Sequence, residues 1–180
     1  MLLFISIVLG LVLGFIRKGN IFALNSLRYL WIIILPLAAT LLINNYPEIS
    51  YLLKAAATTL SYMCVIVFSI VNRNYKVPAI FIGLGTLCNY VVIAANSFRM
   101  PISIKALSVY PTMTAEAVLL QRADYFVATD GANFFFLADI IYIPIKRLGG
   151  FLSIGDVILA IGMFLLIVQV MGRNTTVRYN

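Results

Sequence analysis

Three stretches decide the fold: LLKAAATTLSYMCVIVFSIV at residues 52–71, PAIFIGLGTLCNYVVIAA at 78–95 and DVILAIGMFLLIVQVMG at 156–172. Each approaches the roughly 20 apolar residues that an α-helix needs to cross about 30 Å of hydrocarbon. Polar breaks such as Asn72-Arg73-Asn74 bound them. Two shorter apolar stretches precede them, at 2–16 and 27–43. The first ends at Arg17-Lys18-Gly19-Asn20 and has neither a basic leader nor an evident cleavage site, so it reads as a membrane helix rather than a signal peptide. The second carries Tyr29 and Trp31 as interfacial anchors and Pro36 as an expected kink. The pattern predicts an all-α, polytopic transmembrane helix bundle with about five spans, forming one membrane domain over 1–180.

Composition agrees. The chain is 63% hydrophobic and only 11% charged, against about 25% charged in soluble domains. The net charge of +7 does not point to nucleic acid, because no basic patch with interleaved stacking aromatics occurs. The basic residues sit mostly between apolar stretches, where they set topology and meet anionic headgroups. With no His, the commonest general base and metal ligand is missing. Cys64 and Cys88 make neither a CxxC nor a zinc spacing. No metal or other cofactor is expected.

Between the fourth and fifth spans lies a long insert, 96–155. Residues 114–126 read as a surface helix in the headgroup plane. Residues 132–145 are apolar but short, which suits a re-entrant or interfacial helix. Five spans place Arg17, Lys18, Arg28, Arg73, Lys76, Arg173 and Arg178 on one side, taken as the cytoplasm. A six-span reading exchanges the tail for Lys146 and Arg147, and segment length favours five.

Polar groups inside a membrane are expensive and face a partner or a cavity. Asn89 and Asn96 are seven residues apart, on one helix face. They either bond between helices or line a ligand or ion site. Arg99, at the helix exit, can bind a phosphate or carboxylate ligand, cap the last carbonyls, or pair with Asp139 or Asp156. Asp139, within Phe134-Phe135-Phe136-Leu137-Ala138-Asp139, needs a cation, a donor or a proton. Ser153-Ile154-Gly155-Asp156 has capping-box spacing. It also approaches the Gly-x-Gly-Asp of intramembrane aspartyl proteases, with Ser153 in place of the first Gly and Asp139 as the second carboxylate.

The run Asn89-Tyr90-Val91-Val92-Ile93-Ala94-Ala95-Asn96, then Arg99-Met100-Pro101, Phe136-Leu137-Ala138-Asp139 and Ser153 to Gly162, resembles a bacterial family of small multi-pass membrane proteins, domain of unknown function 5317. Members usually read Asn-Gly-Gly before the Met-Pro pair, where this chain has Ser97-Phe98. The resemblance implies a bacterial plasma membrane location and lends no activity.

Three function classes follow. The first is a non-enzymatic subunit, scaffold or sensor packed against a membrane-protein partner. The second is a binding or transport protein for a small molecule, lipid or ion, using Asn89, Asn96, Arg99, Asp139 and Asp156. The third is an aspartyl hydrolase. The absence of catalytic groups favours the first and points away from an enzyme.

Overall fold

Where side chains are apolar over twenty residues, a helix satisfies every backbone N–H and C=O internally and needs no water. The computed structural model, which describes residues 2–46, 48–108, 124–128, 131–143 and 150–173, is accordingly mostly helical. The helices are α1 (Leu2–Ile16), α2 (Ile34–Asn45), α3 (Tyr51–Val71), α4 (Lys76–Ala95), the one-turn α5 (Ile104–Ser108) and α6 (Ile154–Arg173). Three are long and apolar enough to cross a membrane: Tyr51–Val71, Lys76–Ala95 and Ile154–Gly172. Their outer faces suit lipid: Leu52, Leu60 and Ile80 are 78%, 59% and 57% exposed. A soluble protein rarely exposes so continuous an apolar surface.

Helices neighbour one another in the order α1, α6, α4, α3, α2. Small residues set the closest contacts, because backbones in lipid approach only where side chains are absent. Gly10 and Gly14 of α1 face Ile167 and Met171, so α1 and α6 run parallel. Gly85 faces Gly155 and Leu159 while Gly162 faces Ile82, so α4 and α6 run antiparallel. The main apolar core, with Phe68, Tyr75, Ile82, Leu166 and Val170, lies toward the end where α3 turns into α4.

The second helix begins later than its sequence suggests. Residues 27–43 do not form one helix. Ile21–Ser26 and Leu30–Ile33 are 3-10 turns, Tyr29 takes a left-handed φ of 55°, and α2 starts at Ile34. The reason lies elsewhere in the chain. The amide of Asn72, 4% exposed, accepts from Arg28 N at 2.9 Å and donates to Arg28 O at 3.0 Å and Phe68 O at 2.9 Å. That clamp takes the backbone groups Arg28 would give to a helix. Pro36 therefore falls in the first turn of α2, where its missing N–H removes little, and not at a mid-helix kink.

The insert also departs from an all-α reading. Residues 114–123 lie outside the described residues, but Tyr125 and Phe126 belong to a strand, not a surface helix. Strand β1 (Met100–Ser103) pairs in parallel with β2 (Tyr125–Ala128), Met100 opposite Tyr125. The apolar run from Ala132 is not a re-entrant helix over its described part. It makes a 3-10 turn at Phe135–Leu137, then β3 (Ile141–Ile143), antiparallel to β4 (Gly150–Leu152). Phe134 has a left-handed φ of 52°, which ends any continuing right-handed helix. Pro101 holds Met100 extended, and β1 then receives partners on both sides. Asp139 N donates to Pro101 O at 3.0 Å, and Ser103 N donates to Asp139 O at 3.1 Å.

Candidate functional site

Alternation of the helices brings the start of α6, the exit of α4 and the insert to one end. Basic Arg17, Arg28 and Arg73 belong to turns at the other, where Lys76 opens α4. At the insert end, Ser153 precedes α6 and closes its first turn in the expected capping box. Asp156 N donates to Ser153 Oγ at 2.9 Å, and Ser153 N donates to Asp156 Oδ2 at 3.2 Å. Two of the donors left over at a helix start are thus satisfied.

Asn89 of α4 completes the arrangement. Its Nδ2 donates to Asp156 Oδ1 at 2.7 Å, and its Oδ1 accepts from Ser153 Oγ at 2.7 Å. Asn89 is 5% exposed and Ser153 fully buried. Both Asp156 oxygens therefore accept hydrogen bonds, Oδ1 from Asn89 and Oδ2 from Ser153 N. Gly155 makes the contact possible: a Cβ there would overlap Asn89 Oδ1 and lie 2.8 Å from Gly85 O. The sequence's proton-sharing aspartate pair needs a carboxyl free to act on water. Asp156 is instead committed to a cap and an interhelical bond.

Beside this knot lies a cleft of about 230 Å3. Helix α2 contributes Thr40 and Ile43, α3 contributes Thr58, Ser61 and Tyr62, and α4 contributes Asn89 and Ile93. The insert adds Phe98, Met100, Asp124, Tyr125 and Asp139, and α6 adds Asp156. Three of the chain's six acidic residues thus line one cavity. Ser61 Oγ donates to Ala57 O at 2.7 Å and Thr40 Oγ1 to Pro36 O at 2.9 Å. Their protons are turned back into their own helices, so they offer lone pairs to the cavity. The lining is rich in acceptors, with the rings of Tyr62, Phe98 and Tyr125 among them. Among the described residues no group of carboxylates or thiols is arranged to hold a metal ion.

Of the residues singled out from sequence, Asn89, Asp139 and Asp156 meet at this cleft. Asp139 is 1% exposed and is fixed by its backbone beside β1. Asn96 and Arg99 do not line it. Asn96 ties the end of α4 to the insert, donating to Asn133 O at 2.8 Å and accepting from Asn133 N at 3.0 Å. Arg99 is exposed, its guanidinium 5.6 Å from the Phe126 ring centre. Ser97 and Phe98, between them, both take left-handed φ values of 57° and 56°. The chain makes this left-handed turn with side chains present, at roughly 1–2 kcal/mol of strain per residue.

Sequence reading missed Asp124, Thr58, Ser61 and Tyr62 as cavity residues. Asp124 carried no signal, since a charge after Gln121-Arg122 reads as a solvated face. Thr58 and Ser61 follow Ala55, Ala56 and Ala57 in a run of small residues on α3, and both border the cavity.

No curated protein and no solved structure matches the chain. A family of unknown function, DUF5317, matches residues 24–168. That span covers well over half of the sequence and includes α2, α3, α4, the insert, and α6 as far as Val168, so every residue of the polar knot and the cleft lies within it. The chain belongs to the DUF5317 family.

Proposed function

We propose that this protein is a non-enzymatic, multi-pass component of a bacterial plasma membrane, a sensor or subunit, whose cleft binds a small organic cation. The acceptor-rich cleft carries the reading: Asp124, Asp139 and inward-bonded hydroxyls line a cavity set between apolar helices, and Asp156, held by Asn89 and Ser153, borders it. Buried acceptors of this kind favour a ligand bearing N–H donors and positive charge, and aromatic walls add cation–π attraction. The five-span arrangement is supported by the alternation of α1, α2, α3, α4 and α6 and by Arg17, Lys18, Arg28, Arg73 and Lys76 at the end away from the cleft, against Lys54, Arg99 and Lys105 near it. It puts the cleft on the outer side, open to solutes.

Topology is tested by thiol labelling of intact cells with an impermeant reagent. Glu48→Cys and Ser97→Cys should label, while Lys18→Cys and Asn74→Cys should not. Labelling of all four from outside would refute five spans. Ligand binding is tested on detergent-purified protein with choline and ethanolamine, using 3,3-dimethylbutanol as the uncharged isostere of choline. The cations should bind, and Asp124→Asn should weaken them at least tenfold, since a hydrogen bond or pairing to a charged group contributes about 1.5–3 kcal/mol. Equal binding of the alcohol, or unchanged affinity in Asp124→Asn, would sink the cation reading.

The subunit alternative draws on α2. This helix stands at the edge of the row, packs against α3, and leaves Ile34, Leu37 and Leu41 exposed by 64%, 62% and 55%. Those side chains fit either lipid or a neighbouring apolar helix.

A further inference from the structure

The end opposite the cleft holds a groove of about 800 Å3 on the outer face of the α3–α4 hairpin. Its floor is made of small residues. A Cβ on Gly83 would lie 3.1 Å from Ser69 Oγ, so the two helices are close there. Ser69 Oγ donates to Ala79 O at 2.6 Å, so its proton is used internally. The walls are Ile70, Ile80 and Leu84, exposed by 58%, 57% and 51%. At the mouth stand Arg73 and Lys76, both exposed. Among the described residues no acidic side chain lines the groove.

The geometry points to a binding site for one anionic phospholipid, its phosphodiester between Arg73 and Lys76 and one acyl chain along Ile80, Gly83 and Leu84. This rests on the membrane-spanning reading above. Charge complementarity selects the occupant: two cations and, among the described residues, no anion stand beside apolar Ile70, Ile80 and Leu84, as a lipid's head stands beside its tail. Arg73 offers a planar fork to phosphate oxygens and Lys76 a mobile point charge. Lys76 also opens α4, where the helix dipole favours negative charge. Carboxylated peptides and free phosphate match the mouth but leave the trough empty.

The test uses full-length protein in a neutral detergent, titrated with phosphatidylglycerol, with phosphatidylcholine of the same chains, and with chain-free glycerophosphoglycerol. Phosphatidylglycerol should bind at least tenfold more tightly than phosphatidylcholine and should raise the melting temperature. Arg73→Gln with Lys76→Gln should remove that preference, while Lys105→Gln at the opposite end should keep it. These are exposed side chains, and an unchanged elution profile confirms folding. Ile80→Trp, which narrows the trough and leaves the charges, should weaken phosphatidylglycerol severalfold. Equal binding of the two lipids would overturn the site, as would glycerophosphoglycerol matching the intact lipid or Ile80→Trp binding normally. Failure of the membrane reading has a separate signature, a chain that stays monodisperse without detergent.

Discussion

Gly155→Ala is expected to lose most of the folded protein on extraction into mild detergent, with a melting temperature many degrees below that of the parent. The added methyl has no room: it would overlap Asn89 Oδ1 and press on Gly85 O, which is backbone and cannot rotate away. Overpacking usually costs about 1–3 kcal/mol. Here it also pushes α6 off α4, the most extensive helix contact in the fold, and breaks the Asn89 bonds with it. Gly172→Ala, whose Cβ would meet nothing within 4 Å, is the matched control and should melt near the parent. Thermal melts read by size-exclusion chromatography decide it. A Gly155→Ala variant that melts with the parent would show that α4 and α6 are not packed this closely.

Asn89→Leu should destabilise by roughly 2–4 kcal/mol. One side chain joins the two helices here, and its loss leaves the Ser153 hydroxyl and one Asp156 oxygen without their interhelical partner. Each orphaned buried polar group costs about 1–3 kcal/mol, more where charge is involved. The three residues should behave as a unit. Asn89→Ala combined with Asp156→Ala should then cost less than the sum of the single changes, with a coupling of about 0.5–3 kcal/mol. Strict additivity in that cycle would dissolve the knot. Asn89→Asp should be worse than Asn89→Leu at neutral pH, because it sets a second carboxylate against Asp156 and removes the amide donor.

How much of this was readable in the chain depends on the range of the forces. Helix α1 has the same limits in sequence and structure, and α3, α4 and α6 differ by a residue or two, because hydropathy over a turn or two sets where a helix runs. The Ser153–Asp156 cap was readable for the same reason, since its partners are three residues apart. The insert was misread because an apolar run of helix length carries no mark of strand pairing. What defines it is a left-handed Phe134 and the pairing of β1 with Asp139 and with β2.

The amino-acid order alone settled that long apolar helices would dominate and roughly where they run. It also marked Asn89, Asp139 and Asp156 as polar groups needing partners. Folding in three dimensions decided who those partners were, where α2 begins, and that Asp124 would join the other two carboxylates around a cavity. The bonds responsible link residues 44, 64 and 67 positions apart. Local propensity acts over a few residues, and contacts at such separations exist only after helices have packed, which is why no window of the sequence displays them.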